Sequence, residues 1–178
     1  MFLESKEIID RPLEEVYQLV RDNLPSIVPY LPNIEKVEVL KFEHSGDGNL
    51  TNILNQWHAK IEVPDVAMKF INKNLFSWKD SAIWKNDKHL VEYKLESCWT
   101  KDLFDAKGTN HFTAISDNKT ELKISCEVIL HPDKVPGVPT FLVKKVLPII
   151  ETTVEKVLGP NLMSLGRGIQ AYYKNNKQ

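Results

Sequence analysis

Apolar and polar residues alternate along TELKISCEVIL, residues 120–130. Leu122, Ile124, Cys126, Val128 and Leu130 fall on one parity, and Glu121, Lys123, Ser125 and Glu127 on the other. A period of two is that of a strand with one face on a core and one on water. HLVEYKLES repeats it, with Val91, Tyr93, Leu95 and Ser97 on one side, and so does SWKDSAIWK, where Trp78, Ala82 and Trp84 share their side with Asp80. The polar elbow Asn86-Asp87-Lys88 joins these two runs into a hairpin. MFLESKEII predicts an opening strand, and IEKVEVLKFEHS and LTNILNQWHAKI predict a hairpin around Gly46-Asp47-Gly48-Asn49. GTNHFTAISDN predicts a strand that turns at Asp117-Asn118-Lys119 into the last one.

Helical spacing occurs near both ends. Asp10 reads as an N-cap with Pro12 in the first turn, ahead of Leu13, Val16, Tyr17 and Val20, and this helix ends near Asn23. Pro25, Pro29 and Pro32 limit the next stretch to a short second helix. Residues 139–174 carry one broad apolar stripe that includes Val146, Val154, Leu158, Leu162, Leu165 and Ile169, with kinks predicted at Pro148 and at Gly159-Pro160. VPDVAMKFINKN, residues 63–74, does not alternate; Met68 and Phe70 suit either a lid over the sheet or a piece of core, and the lid is the reading taken. The order is strand, two helices, about six antiparallel strands and a long terminal helix. Only that last helix is apolar and long enough to cover the sheet. The prediction is one α+β domain, residues 1–178, with a strongly curved antiparallel sheet of six to seven strands wrapped around the C-terminal helix.

This order, carried by IIDRPLEEVYQLV, WKNDKHLVEYKLES, TELKISCEVIL and the terminal helix, resembles the START-like, helix-grip superfamily, which includes START lipid carriers, polyketide cyclases and the major pollen-allergen proteins. VEVLKFEHSGDGNLTNILNQW followed by a short amphipathic insertion also looks like the PRELI-type lipid-transfer proteins. The resemblance implies a cavity between sheet and terminal helix that holds an apolar ligand; no cofactor is assigned.

Inward parity supplies the candidate chemistry. Asn55 lies beside Ile53 and Trp57, Asp80 beside Trp78 and Trp84, and Asn110 beside Phe112. A dry core would leave such groups unpaired at about 1–3 kcal/mol each, whereas a ligand pocket uses a few polar groups on an apolar wall. A bulge turning Asp80 outward, or a backbone hydrogen bond, accounts for it equally well. A one-residue slip would present Thr109 and His111 in place of Asn110. Trp57, Trp78, Trp84 and Tyr93 read as wall or core under either view. The ligand-contacting set is therefore Asn55, Trp57, Trp78, Asp80, Trp84, Tyr93, Asn110 and Phe112, with Met68 and Phe70 from the lid and Leu158 and Leu162 from the helix.

Composition narrows the field. With 23 basic and 24 acidic residues among 178, the net charge of −1 offers no field for nucleic acid. Residues 134–178 hold seven basic side chains against two acids, which suits either transient contact with an anionic membrane surface or a solvated outer helix face; the latter is favoured. Cys98 and Cys126 form no metal-ligand or disulfide framework and read as small buried thiols. Charges at Glu4, Lys6 and Glu7 argue against a signal peptide, so a reducing, cytoplasmic setting is expected. His58, His89, His111 and His131 lack a nucleophile or carboxylate at motif spacing, no hydrolase, metalloprotease or phosphate-loop signature occurs, and neither a catalytic residue nor a metal ligand is assigned. Gly166 and Gly168 read as helix-packing residues. Three functions stay open: a carrier or sensor of a small hydrophobic molecule (lipid, isoprenoid or polyketide-like), an aromatase/cyclase- or hydrolase-like enzyme using Asp80 with help from His111, and a cavity-less interaction module. Oligomeric state is not legible.

Overall fold

A computed structural model describes residues 1–60, 73–100, 103–131, 134, 159–160 and 164–176. Each alternating run becomes a strand: β1 (Phe2–Ile9), β2 (Ile34–His44), β3 (Leu50–Ala59), β4 (Ser77–Lys85), β5 (Leu90–Ser97), β6 (Phe104–Ser116) and β7 (Lys119–Leu130). They form one antiparallel sheet in the order β1-β7-β6-β5-β4-β3-β2. Six strands run as a meander and β1 returns beside β7, which leaves β1 and β2 as the two edges, so the sheet is not closed. β6 starts four residues earlier than the alternation from Gly108 suggested, because Phe104 and Ala106 also take buried inner positions. A register shift between Val39 and Lys41 inserts Leu40 as a bulge in β2.

Helix α1 (Leu13–Asp22) buries Val16, Tyr17 and Val20 and carries Glu14 and Glu15 in its first turn and Arg21 in its last, complementing its dipole. Its N-cap residue is Pro12 and there is no side-chain cap. The cap assigned to Asp10 from sequence is thus corrected: Asp10 lies two residues upstream, and its carboxylate accepts from Gln170 Nε2 at 3.0 Å, while Gln170 Oε1 accepts from the Asp10 amide at 3.0 Å. The proline-rich stretch forms a short 3-10 segment, Leu24–Tyr30. The elbow Asn86–Lys88 is another, closed by His89 in the left-handed region at φ 47°.

Residues 159–160 and 164–175 are helical, and the latter run is called α2 here. Gly159 lies against Leu3, Gly166 against Glu7, Gln170 against Asp10, and Tyr173 under the Arg11 guanidinium. The contacts advance together along both chains, so the terminal helix runs along β1. Leu165 and Ile169 are buried, and Gly168 admits Leu31 and the Tyr30 carbonyl from the 3-10 segment. Both glycines do act at close helix contacts. The lid segment 63–74 lies outside the described residues up to 72, with Lys73–Phe76 forming a 3-10 turn. Residues 139–158 of the expected kinked helix, including Pro148, also lie outside them.

Candidate ligand-binding site

Register builds the site from the strands. Asn55 on β3 stands directly opposite Asp80 on β4, and Asp80 directly opposite Leu95 on β5. Two residues further along, on the same face, Trp57 opposes Trp78. Their indoles lie parallel within 6°, with centroids 6.0 Å apart, and Trp57 Nε1 donates to Asp80 Oδ2 at 3.3 Å. Side chains directly opposite on one face have Cβ atoms about 4.5–5.5 Å apart, so Asn55, Asp80, Trp57 and Trp78 make one patch. No bulge intervenes in β4 here, and Asp80 keeps its inner parity.

Asp80 as a residue keeps partial accessibility, but its Oδ1 is fully buried with no hydrogen-bond partner. Burial pushes its carboxyl up to about 6, against the lowering pull of Trp57 and Asn55. Asn55 Oδ1, Trp84 Nε1 and Asn110 Oδ1 share the same condition, buried and unpartnered. All four atoms belong to inner-face residues of β3, β4 and β6. Asn110 holds its inner register opposite Val91 and Ile124, so the slip to Thr109 and His111 does not occur; His111 takes the exposed outer position and does not meet Asp80.

The other predicted aromatics sit elsewhere. Trp84 stacks on Phe112 with centroids 6.1 Å apart, and Tyr17 of α1 packs edge-on against both, at 5.2 and 5.3 Å. Burial raises the Tyr17 phenol to about 12. Its hydroxyl donates to Asn86 Oδ1 at 3.0 Å, and Asn86 in turn donates to the Gly48 carbonyl and Thr51 Oγ1. An aromatic plug under α1 therefore occupies this end of the face, four residues along β4 from Asp80. Between the two groups Tyr93 crosses Gly108 and donates to the Ser125 carbonyl at 2.9 Å. Burial drives the Tyr93 phenol far above its ordinary value and the Cys126 thiol up to about 11. On the β2 edge, Val39 and Phe42 have inner parity yet are 45% and 39% exposed, so the face is open to solvent on that side.

No known family model matches the chain, and no curated protein matches it significantly. Solved structures do. The aromatase/cyclase Zhui of Streptomyces sp. R1128 superposes with a TM-score of 0.72 at 14% identity, covering 100% of this chain and 96% of that one. A Thermus thermophilus protein matches with a TM-score of 0.68 at 19% identity over 100% of both chains, and norcoclaurine synthase of Thalictrum flavum with 0.55 at 15%, covering 99% of this chain and 87% of that one. The chain has the START-like, helix-grip fold.

In this helix-grip sheet the predicted site residues fall into two groups: Asn55, Trp57, Trp78 and Asp80 together, and Trp84, Phe112 and Asn110 toward α1. Met68, Phe70, Leu158 and Leu162 lie outside the described residues. Leu95, opposite Asp80, and Gly108, beneath Tyr93, were missed by sequence reasoning; an isolated glycine inside a strand was the available signal for the second. His58, His89, His111 and His131 lie on the outer face or in turns, and three of them meet a carboxylate: His58 bonds Glu38 and Ser77 at 2.9 Å each, His89 bonds Glu14, and His131 bonds Asp105 at 2.8 Å. Among the described residues no group of three or more His, Cys, Asp or Glu could hold a metal. Cys126 is buried as expected, but Cys98 is half-exposed, because it follows the end of β5 in a bend and not in the strand; both thiols are free.

Proposed function

We propose that this protein carries or senses a small hydrophobic molecule of the lipid, isoprenoid or polyketide-like class, bound non-covalently between the concave sheet face and the terminal helix, in a reducing cytoplasmic setting. One observation carries the reading. Among the described residues, every buried side-chain polar atom without a partner, at Asn55, Asp80, Trp84 and Asn110, lies on one face of one sheet. A core selected only for stability avoids such groups, since each costs about 1–3 kcal/mol unpaired. A face that receives a ligand retains them, because they fix the ligand's orientation while apolar burial supplies affinity at about 25 cal/mol per Å2. The fold supports the reading further, being shared with an aromatase/cyclase and with norcoclaurine synthase. No described helix is long and apolar enough to cross a membrane.

A second reading is an aromatase/cyclase- or hydrolase-like enzyme, favoured by the raised pKa of buried Asp80, which would suit a general acid or base. His111 has no part in it. Native mass spectrometry of protein purified without added ligand tests the carrier reading: a bound adduct of lipid-like mass is the expected result. Repeated absence of any adduct, together with no uptake of the neutral dye Nile red, would overturn it and leave the cavity-less interaction module.

A further inference from the structure

The chemistry of the Asp80 patch narrows the ligand class, and this step rests on the ligand-binding reading above. Asp80 Oδ1 and Asn55 Oδ1 belong to residues directly opposite each other, and both atoms are buried without a partner. Both are oxygens, so a group that satisfies both must bring the hydrogen-bond donors. Asp80 differs from the other paired acids of the described sheet. Glu4, Glu7, Glu38, Glu43, Glu92, Glu96, Asp105, Glu121 and Glu127 each meet a Lys, Arg or His, whereas Asp80 meets none among the described residues: its partners, the Trp57 indole N–H on Oδ2 and the Asn55 side chain, are both neutral. The titratable groups facing it from neighbouring strands are Tyr93 on β5 and Cys126 on β7, both of which burial keeps protonated and neutral.

A hydroxyl donor would satisfy the hydrogen bond and leave the negative charge uncompensated in a low-dielectric site. An ammonium group does both, and it has more than one N–H to share between two acceptors. We propose that the ligand is a hydrophobic primary or secondary amine, its ammonium seated between Asp80 Oδ1 and Asn55 Oδ1 and its apolar body along Trp57, Trp78 and Leu95.

Matched amine and alcohol pairs test this on the full chain, from octylamine and octanol to 2-naphthylethylamine and 2-naphthylethanol, each titrated against bound Nile red. Near pH 7.5 the amines should displace the dye about tenfold or more better than their alcohols, the difference between a charge-assisted and a neutral hydrogen bond. Asp80→Asn should abolish that preference, and a far-UV circular dichroism spectrum and cooperative melt like the parent's show that the variant is folded. With the Asp80 carboxyl at about 6, lowering the pH to near 5 should weaken the amines by about tenfold in the parent protein and not in Asp80→Asn. Equal displacement by amine and alcohol, or an amine preference that survives in Asp80→Asn, would overturn the amine assignment while the carrier reading stands. Failure of Nile red itself to bind, together with repeated absence of a co-purified adduct, would overturn both.

Discussion

The ring of Tyr93 fills the space that a side chain at Gly108 would need, and its hydroxyl donates to the Ser125 carbonyl, 2.9 Å away on β7. Tyr93 opposes Gly108 on β6, and Gly108 opposes Cys126 on β7, so one phenol spans three strands through a gap that only glycine leaves. Gly108→Ala should therefore destabilise by about 1–3 kcal/mol through overpacking, and Tyr93→Phe by about 1 kcal/mol through the lost hydrogen bond. In Tyr93→Leu the alanine at 108 should lose its clash with the ring and keep the one with the Ser125 carbonyl oxygen, so its cost should fall only in part. Urea unfolding of the single and double variants measures this coupling, and strict additivity would show that the two residues act independently.

Asp80 links stability to pH. Its folded carboxyl is raised from 3.8 to about 6, so between these values the native state holds more protons than the unfolded state and stability falls as pH rises, reaching its lower plateau above about pH 6. Asp80→Asn removes a buried charge and should stabilise the ligand-free protein by about 1–3 kcal/mol near pH 7.5. The gain should shrink to nothing below about pH 4, where aspartate is neutral in both states. Denaturation midpoints of the two proteins across this range give the answer, and a gap that grows in acid would contradict it.

Trp84 and Trp57 should respond differently to truncation. Trp84 is buried against Tyr17 and Phe112, so Trp84→Ala should cost about 3–5 kcal/mol of stability. Trp57 is only partly buried and holds Asp80 Oδ2, so Trp57→Phe should leave the melting temperature within a few degrees while weakening ligand or dye binding. Thermal melts combined with dye titration separate the two effects. Equal loss of stability in both variants would remove the distinction between plug and site.

Both glycines of α2 should resist substitution. Alanine at either gains about 1 kcal/mol of helix propensity. At Gly166 the added methyl meets Glu7 Cβ at 2.5 Å and Cγ at 2.7 Å; the Cβ is fixed by the β1 backbone, so α2 and β1 would have to part and a net loss of about 1–3 kcal/mol should follow. At Gly168 it meets Leu31 Cδ2 at 2.6 Å and the Tyr30 carbonyl at 3.3 Å, and the backbone oxygen cannot yield; a net loss of about 1–2 kcal/mol should follow. Urea midpoints rank the pair, and a stabilised Gly168→Ala would show that α2 does not dock there.

The chain order of strands and helices, the edge-to-edge meander and the inner parity of Asn55, Asp80 and Asn110 were all legible in the sequence. A strand's two faces are a local property, set by alternate Cβ directions along a single backbone, and a carboxylate among tryptophans on one parity is visible without any partner strand. Asp10 shows the limit of such reading. As a capping residue it obeyed the local rule, but Gln170, 160 positions later, offers it two hydrogen bonds, and Pro12 took the cap position.

What tertiary structure alone decided is which inner residues became neighbours. The alternation places Trp57, Trp78, Trp84 and Phe112 on one wall, yet only the register of β3 against β4 stacks the first two over Asp80, and only the docking of α1 sets Tyr17 edge-on against the others and closes that end. Gly108 likewise reads as a weak point in a strand until Tyr93 lies across it. Side-chain direction follows from bonds along one chain, and proximity follows from pairings among residues far apart in it; the first is written in the order of the residues, and the second exists only once the sheet has formed and the helices have packed upon it.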